Sequence, residues 1–91
     1  MSTKLVHNEP TVKITGAQIR AARGLLGISA AALAQGAGVT WKTVQRFESH
    51  EGIPPSRSGT LGKVQQYLKA RGIEFLGDPV ASPGVRLHRP P

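Results

Sequence analysis

The chain has 91 residues, with twelve Lys and Arg against five Asp and Glu and a formal net charge of +7. That length supports one small domain, which buries about 60–65% of the surface of its unfolded chain. Cysteine is absent, which excludes disulfides and thiolate metal sites, and so basic a balance favours a polyanionic partner. Met1 to Pro10 holds no apolar run of the signal-peptide kind, and no stretch approaches the ~20 apolar residues of a membrane span. The expected setting is therefore cytoplasmic, nucleoid-associated and away from membranes.

Residues 1–14 read as a flexible arm. Lys4, His7 and Lys13 are scattered through it, and Pro10 interrupts any helix. Such an arm is either a tail without a role or one that reaches a minor groove. Leu5-Val6 and Val12 to Ile14 also suit a short strand. Thr15 and Gln18 form a capping box, each side chain serving the other's backbone, and this starts a helix over Gly16 to Leu26. Ile19, Ala22, Leu25 and Leu26 make its apolar stripe, and Gly27 stops it. Arg23 stands four residues from Ile19 and three from Leu26, so it leans toward the core.

The stretch Ser29 to Glu48 predicts two short helices joined by a tight turn. Ser29 caps the first, which runs through Gln35. Gly36 to Gly38 end it, with Gly38 the position that most needs a positive φ. Thr40 caps the second, which runs through Ser49. Leu33/Ala37 and Val44/Phe47 lie one turn apart and give each helix an inward face. Ala34 is small where the two helices would cross. Trp41, Lys42, Gln45, Arg46 and Ser49 fall on the outer face of the second helix. It carries two cations and no acid, with the size and chemistry to enter a DNA major groove.

Residues 49–59 form a loop, since Gly52, Pro54 and Pro55 forbid a helix. His50, Ser56, Arg57 and Ser58 are either phosphate ligands or ordinary loop residues. A fourth helix is expected over Ser58 to Arg71, with Leu61, Val64, Leu68 and Tyr67 inward and Lys63, Gln66, Lys69 and Arg71 in water. Beyond Gly72 the period changes to alternation at residues 73–76 and 85–88, separated by a turn-forming tract. This predicts a two-stranded hairpin that lies on the helices or pairs with a second subunit, because an isolated hairpin is marginal in water.

The pattern Leu33-Ala34, then Gly38-Val39, then Val44, Phe47 and Glu48 resembles the helix-turn-helix of the Cro/repressor (Xre-like) family. Ile19 and Arg23 before it and Leu61, Val64 and Leu68 after it extend the likeness over about residues 15–72. The resemblance implies an all-α, four-helix Xre-like domain, here with a short C-terminal β hairpin over 73–91. It also implies an ion pair between Arg23 and Glu48. Two positions depart from the family pattern: Ala30 stands where a phosphate-bonding Gln is common, and Gly36 is unusual inside the first helix of the pair.

The resemblance, with the basic helix face, implies a sequence-specific double-stranded DNA-binding regulator of transcription, a repressor or autoregulator. Trp41, Lys42, Thr43 and Arg46 would start the reading helix behind Thr40. Arg46 suits a bidentate bond to guanine, Lys42 guanine or phosphate, Thr43 a thymine methyl or phosphate, and Gln45 adenine. Trp41 either meets thymine or sugar or folds back on the neighbouring helix. Ser29, Ala30 and Gln35 would offer bonds to phosphate beside Arg57. A lone module binds weakly, so a homodimer on a near-palindromic site is expected, with half-sites about 34 Å apart. The hairpin can supply that dimer contact or only pack within the chain. Two alternatives stand: an antitoxin of a toxin–antitoxin pair, whose tail holds a protein partner, or an interaction module of this fold without DNA. No catalytic couple, cofactor motif or zinc spacing accompanies the histidines and acids, so an enzyme, cofactor or metal is not expected.

Overall fold

The structure is a computed structural model that describes residues 12–56 and 59–90. Four helices precede a two-stranded antiparallel hairpin: α1 (Gly16–Leu26), α2 (Ala30–Ala37), α3 (Trp41–Glu48), α4 (Thr60–Ala70), β1 (Ile73–Leu76) and β2 (Gly84–Leu87). The architecture is thus mostly α. The expected caps set the helix starts. The Thr15 hydroxyl accepts from the Gln18 N–H while Gln18 Oε1 accepts from the Thr15 N–H. Ser29 Oγ accepts from Ala32 N at 3.0 Å, and Thr40 Oγ1 from Thr43 N at 3.2 Å. Each bond satisfies a donor that the helix itself leaves unpaired. The turn between α2 and α3 depends on Gly38, whose φ of 75° is the left-handed conformation that a side chain disfavours.

The core gathers the inward stripes. Ile19, Ala22, Leu33, Val44, Phe47, Val64 and Leu68 are buried, with Ile73 entering from the hairpin. Ala34 is buried in the same cluster. Ile14, expected in the flexible arm, is buried in the same cluster, so the core begins before the first cap. Residues 1–11 of that arm, with Lys4 and His7, lie outside the described residues. Leu25 departs from the expected stripe and is 41% exposed, whereas Leu26, its neighbour in the last turn of α1, packs against the core. Helix α4 is shorter than expected. It starts after Gly59, which sits at the cap position without a side-chain cap bond, and Ser56 Oγ instead accepts from Leu61 N at 3.1 Å.

The hairpin lies on the helices of its own chain, β2 against α1 and β1 against α4. Its register pairs Ile73 with Leu87, Glu74 with Arg86, Phe75 with Val85 and Leu76 with Gly84. Alternation therefore turns Ile73, Phe75, Val85 and Leu87 to the core and Glu74 and Arg86 outward. Gln18 fastens the hairpin: its Nε2 donates to Gly84 O at 2.9 Å. His88 N donates to Gly72 O at 2.8 Å and closes the open end.

Candidate nucleic-acid interface

Helix α3 is anchored from behind. Val44 and Phe47 are wholly buried, and Glu48 is held at its inner edge. Arg23 reaches Glu48 with two bonds, Nε to Oε2 at 2.6 Å and Nη2 to Oε1 at 2.9 Å, and Arg23 Nη1 donates to Ile28 O at 3.0 Å. The carboxylate holds the Arg23 guanidinium pKa above its ordinary value, chiefly through that hydrogen bond and against the opposing effect of burial. One pair thus ties α1, the α1–α2 turn and the end of α3 together.

A further clamp had no signature in the sequence. Arg20 Nη1 donates to Glu48 O and to His50 O, and Arg20 Nη2 meets Glu51 Oε2 at 2.8 Å. A cation at the C-terminal carbonyls of α3 opposes the negative end of the helix dipole. No local signal marks Arg20, whose partners lie 28 to 31 residues away. His50 is half-buried, and its backbone carbonyl accepts at this clamp.

The outward face keeps Trp41, Lys42, Gln45, Arg46 and Ser49 exposed. Lys42, Thr43, Gln45, Arg46 and Ser49 line one open concavity of about 610 Å³. Trp41 is 49% exposed. Thr43 is half-buried and its Oγ1 bonds the Thr40 hydroxyl at 2.9 Å, so both threonines stiffen the first turn. Arg46 is exposed yet held: its Nη1 donates to Pro55 O at 3.0 Å, and its guanidinium carbon lies 5.0 Å from the Phe47 ring centroid. Ser29 and Gln35 are exposed at the start and end of α2, with the Ser29 hydroxyl serving as cap. Ala30 is half-buried against the core. Arg57 and Ser58 lie outside the described residues.

The charge distribution sharpens this face. Glu48 and Glu51 pair with Arg23 and Arg20, and Glu74 pairs with Arg86 at 3.6 Å and His88 at 2.6 Å. Asp78 accepts from the Val80 and Ala81 N–H groups at 2.8 Å each. Every described carboxylate is therefore engaged, and none of them lies on the outer face of α3. Among the described residues no cluster of His, Asp and Glu could hold a metal, and no helix is long and apolar enough to cross a membrane. Comparison with protein-family models finds no match to this chain, and comparison with curated proteins finds none either.

Proposed function

We propose that this protein is an Xre-like helix-turn-helix regulator that binds double-stranded DNA through α3 and acts as a repressor or autoregulator. The observation that carries the reading is the two-sided character of α3. Val44 and Phe47 are sealed in the core while Trp41, Lys42, Gln45 and Arg46 stand in solvent, with none of the described acids beside them. Eight helical residues span about 12 Å, a length suited to a major groove about 12 Å wide.

In this reading Lys42 and Gln45 approach base edges, and Arg46 presents its remaining donors to guanine. The Pro55 carbonyl and the Phe47 ring already restrict the Arg46 side chain, which lowers the entropy lost on binding. Trp41 and Thr43 meet sugar, methyl or phosphate, while Ser29, Gln35 and Thr40 flank them on the backbone side. Two copies on a near-palindromic site, with centres about 34 Å apart, supply the affinity that one module lacks. Gly36 gives no support to a module that has lost DNA. The Tyr67 ring lies where a Cβ on Gly36 would stand, so packing accounts for that glycine.

The test is a salt titration with random duplex DNA, followed by selection of bound sites from a random duplex library. Affinity should fall by decades between about 50 and 200 mM salt if many phosphates are contacted. Lys42→Ala should lower the salt slope by about one if Lys42 meets phosphate. Arg46→Ala should relax preference at one base position, at about 1–3 kcal/mol. Absence of binding at low salt rejects the reading, and a uniform loss across sequences in Arg46→Ala rejects the guanine contact.

A further inference from the structure

A second surface combines apolar and cationic groups away from α3. Leu25, Leu26 and Leu87 line an open groove of about 350 Å³ with Arg71, His88 and Arg89. It lies where the last turn of α1, the end of α4 and the end of β2 meet. Leu25 is 41% exposed at this groove, an apolar side chain that the core does not use. Arg71 lines the groove from the end of α4, and its Nη1 donates to the Tyr67 phenol oxygen at 2.7 Å, with its guanidinium carbon 5.7 Å from the ring centroid. Among the described residues no carboxylate lines the groove. Glu74, the acid that His88 holds, is also shared with Arg86.

From this pairing of leucines with guanidiniums we infer that the groove docks an acidic segment of a partner protein, with an apolar side chain seated on Leu25, Leu26 and Leu87 and flanking carboxylates on Arg71 and Arg89. Charge complementarity selects this occupant. A phosphate backbone would satisfy the cations and leave the leucines in water, whereas an uncharged apolar segment would leave the guanidiniums without anions. An acidic segment with an apolar anchor satisfies both. The inference is independent of the DNA-binding reading, since no residue of α3 takes part.

The probe is a short fluorescein-tagged peptide of alternating glutamate and leucine, titrated against the full chain by fluorescence anisotropy. The same peptide with glutamine for glutamate is the control. The acidic peptide should bind saturably and about tenfold or more tighter than the control. Arg89→Glu and Leu25→Ser should each weaken it by about tenfold, while Lys63→Glu, an equal charge change elsewhere, should leave it unchanged. Leu25 and Arg89 are exposed, and thermal melts establish that both variants fold. Amide shifts in an NMR titration should concentrate at Gly27, Arg71 and Leu87, a readout that needs no variant. The proposal is overturned by unsaturable binding, by an equal loss in Lys63→Glu, or by shifts confined to α3. It is also overturned if random duplex DNA displaces the peptide and Arg89→Glu weakens DNA binding, which would assign the groove to nucleic acid.

Discussion

Arg23 joins three segments of chain with one side chain. Its partner Glu48 sits at the inner edge of α3, where an unpaired carboxylate would lose its hydration without compensation. The side chains retain only 25% and 10% exposure, so removal of either leaves a charge in a poorly solvated place. Arg23→Ala and Glu48→Ala should each cost about 2–3 kcal/mol, somewhat below the ~3–5 of a fully buried pair because water reaches part of Arg23. In a domain of this size that corresponds to a Tm lower by roughly 10 °C. The double variant should lose much less than the sum of the two. Additive losses in a thermal-melt cycle would show that the two side chains act separately. Arg46 differs from Lys42 by the same kind of reasoning. Both are exposed, but only Arg46 has its guanidinium held by a carbonyl and a ring, so the stiffer of the two suits recognition and the freer one suits charge neutralisation.

At the scale of the element, two glycines inside helices make opposite predictions. Gly24 in α1 has nothing within 4 Å of the place a Cβ would occupy, so Gly24→Ala gains the helix propensity of alanine, up to about 1 kcal/mol. Gly36 in α2 faces Tyr67, whose ring and hydroxyl atoms lie 2.3 to 2.7 Å from where a Cβ would stand. Gly36→Ala should therefore lower stability by about 1–3 kcal/mol despite its better propensity. Adding Tyr67→Ala should remove that clash: the Gly36→Ala change should no longer destabilise in that background. Thermal melts of the four variants check both signs, and a Gly36→Ala protein more stable than the parent would show that the Tyr67 ring moves aside freely. The departure at Gly36 thus belongs to the packing of α2 on α4.

Across the whole molecule, acid should loosen the hairpin before the helices. The hydrogen bond from His88 is the main cause holding the Glu74 carboxyl below its usual 4.5, with Arg86 and the His88 charge assisting. The Ala81 and Val80 N–H groups hold Asp78 below its usual 3.8. Both folded-state values are depressed, so the stabilisation is complete above the usual values and is lost as pH falls through the folded ones. Hydrogen-exchange protection at the Glu74 and Arg86 amides, which face each other across the ladder in step with the His88–Gly72 bond, should fall as pH drops below about 4.5, ahead of Ile19 and Val44. Glu74→Gln should flatten part of that dependence. A simultaneous loss at all four positions would mean that hairpin and helices open as one unit.

The helix starts, the left-handed stops at Gly27 and Gly38 and the buried face of α3 were legible in the sequence. Each depends on groups three or four residues apart: Thr15 with Gln18, Ser29 with Ala32, Thr40 with Thr43, Val44 with Phe47. Such contacts form whenever the local chain forms, so spacing alone predicts them. The Arg23–Glu48 pair became legible only through a family resemblance, because 25 residues separate the two. The Arg20 clamp, the tie from Arg46 to Pro55, the ring over Gly36 and the Gln18 bond to Gly84 left no local trace. Their partners meet only when separate elements pack, and a side chain's reach across such a gap is set by the relative placement of whole helices. Sequence determined what each segment is; tertiary packing decided which cations remain available on α3 and which apolar surface, at Leu25, stays uncovered.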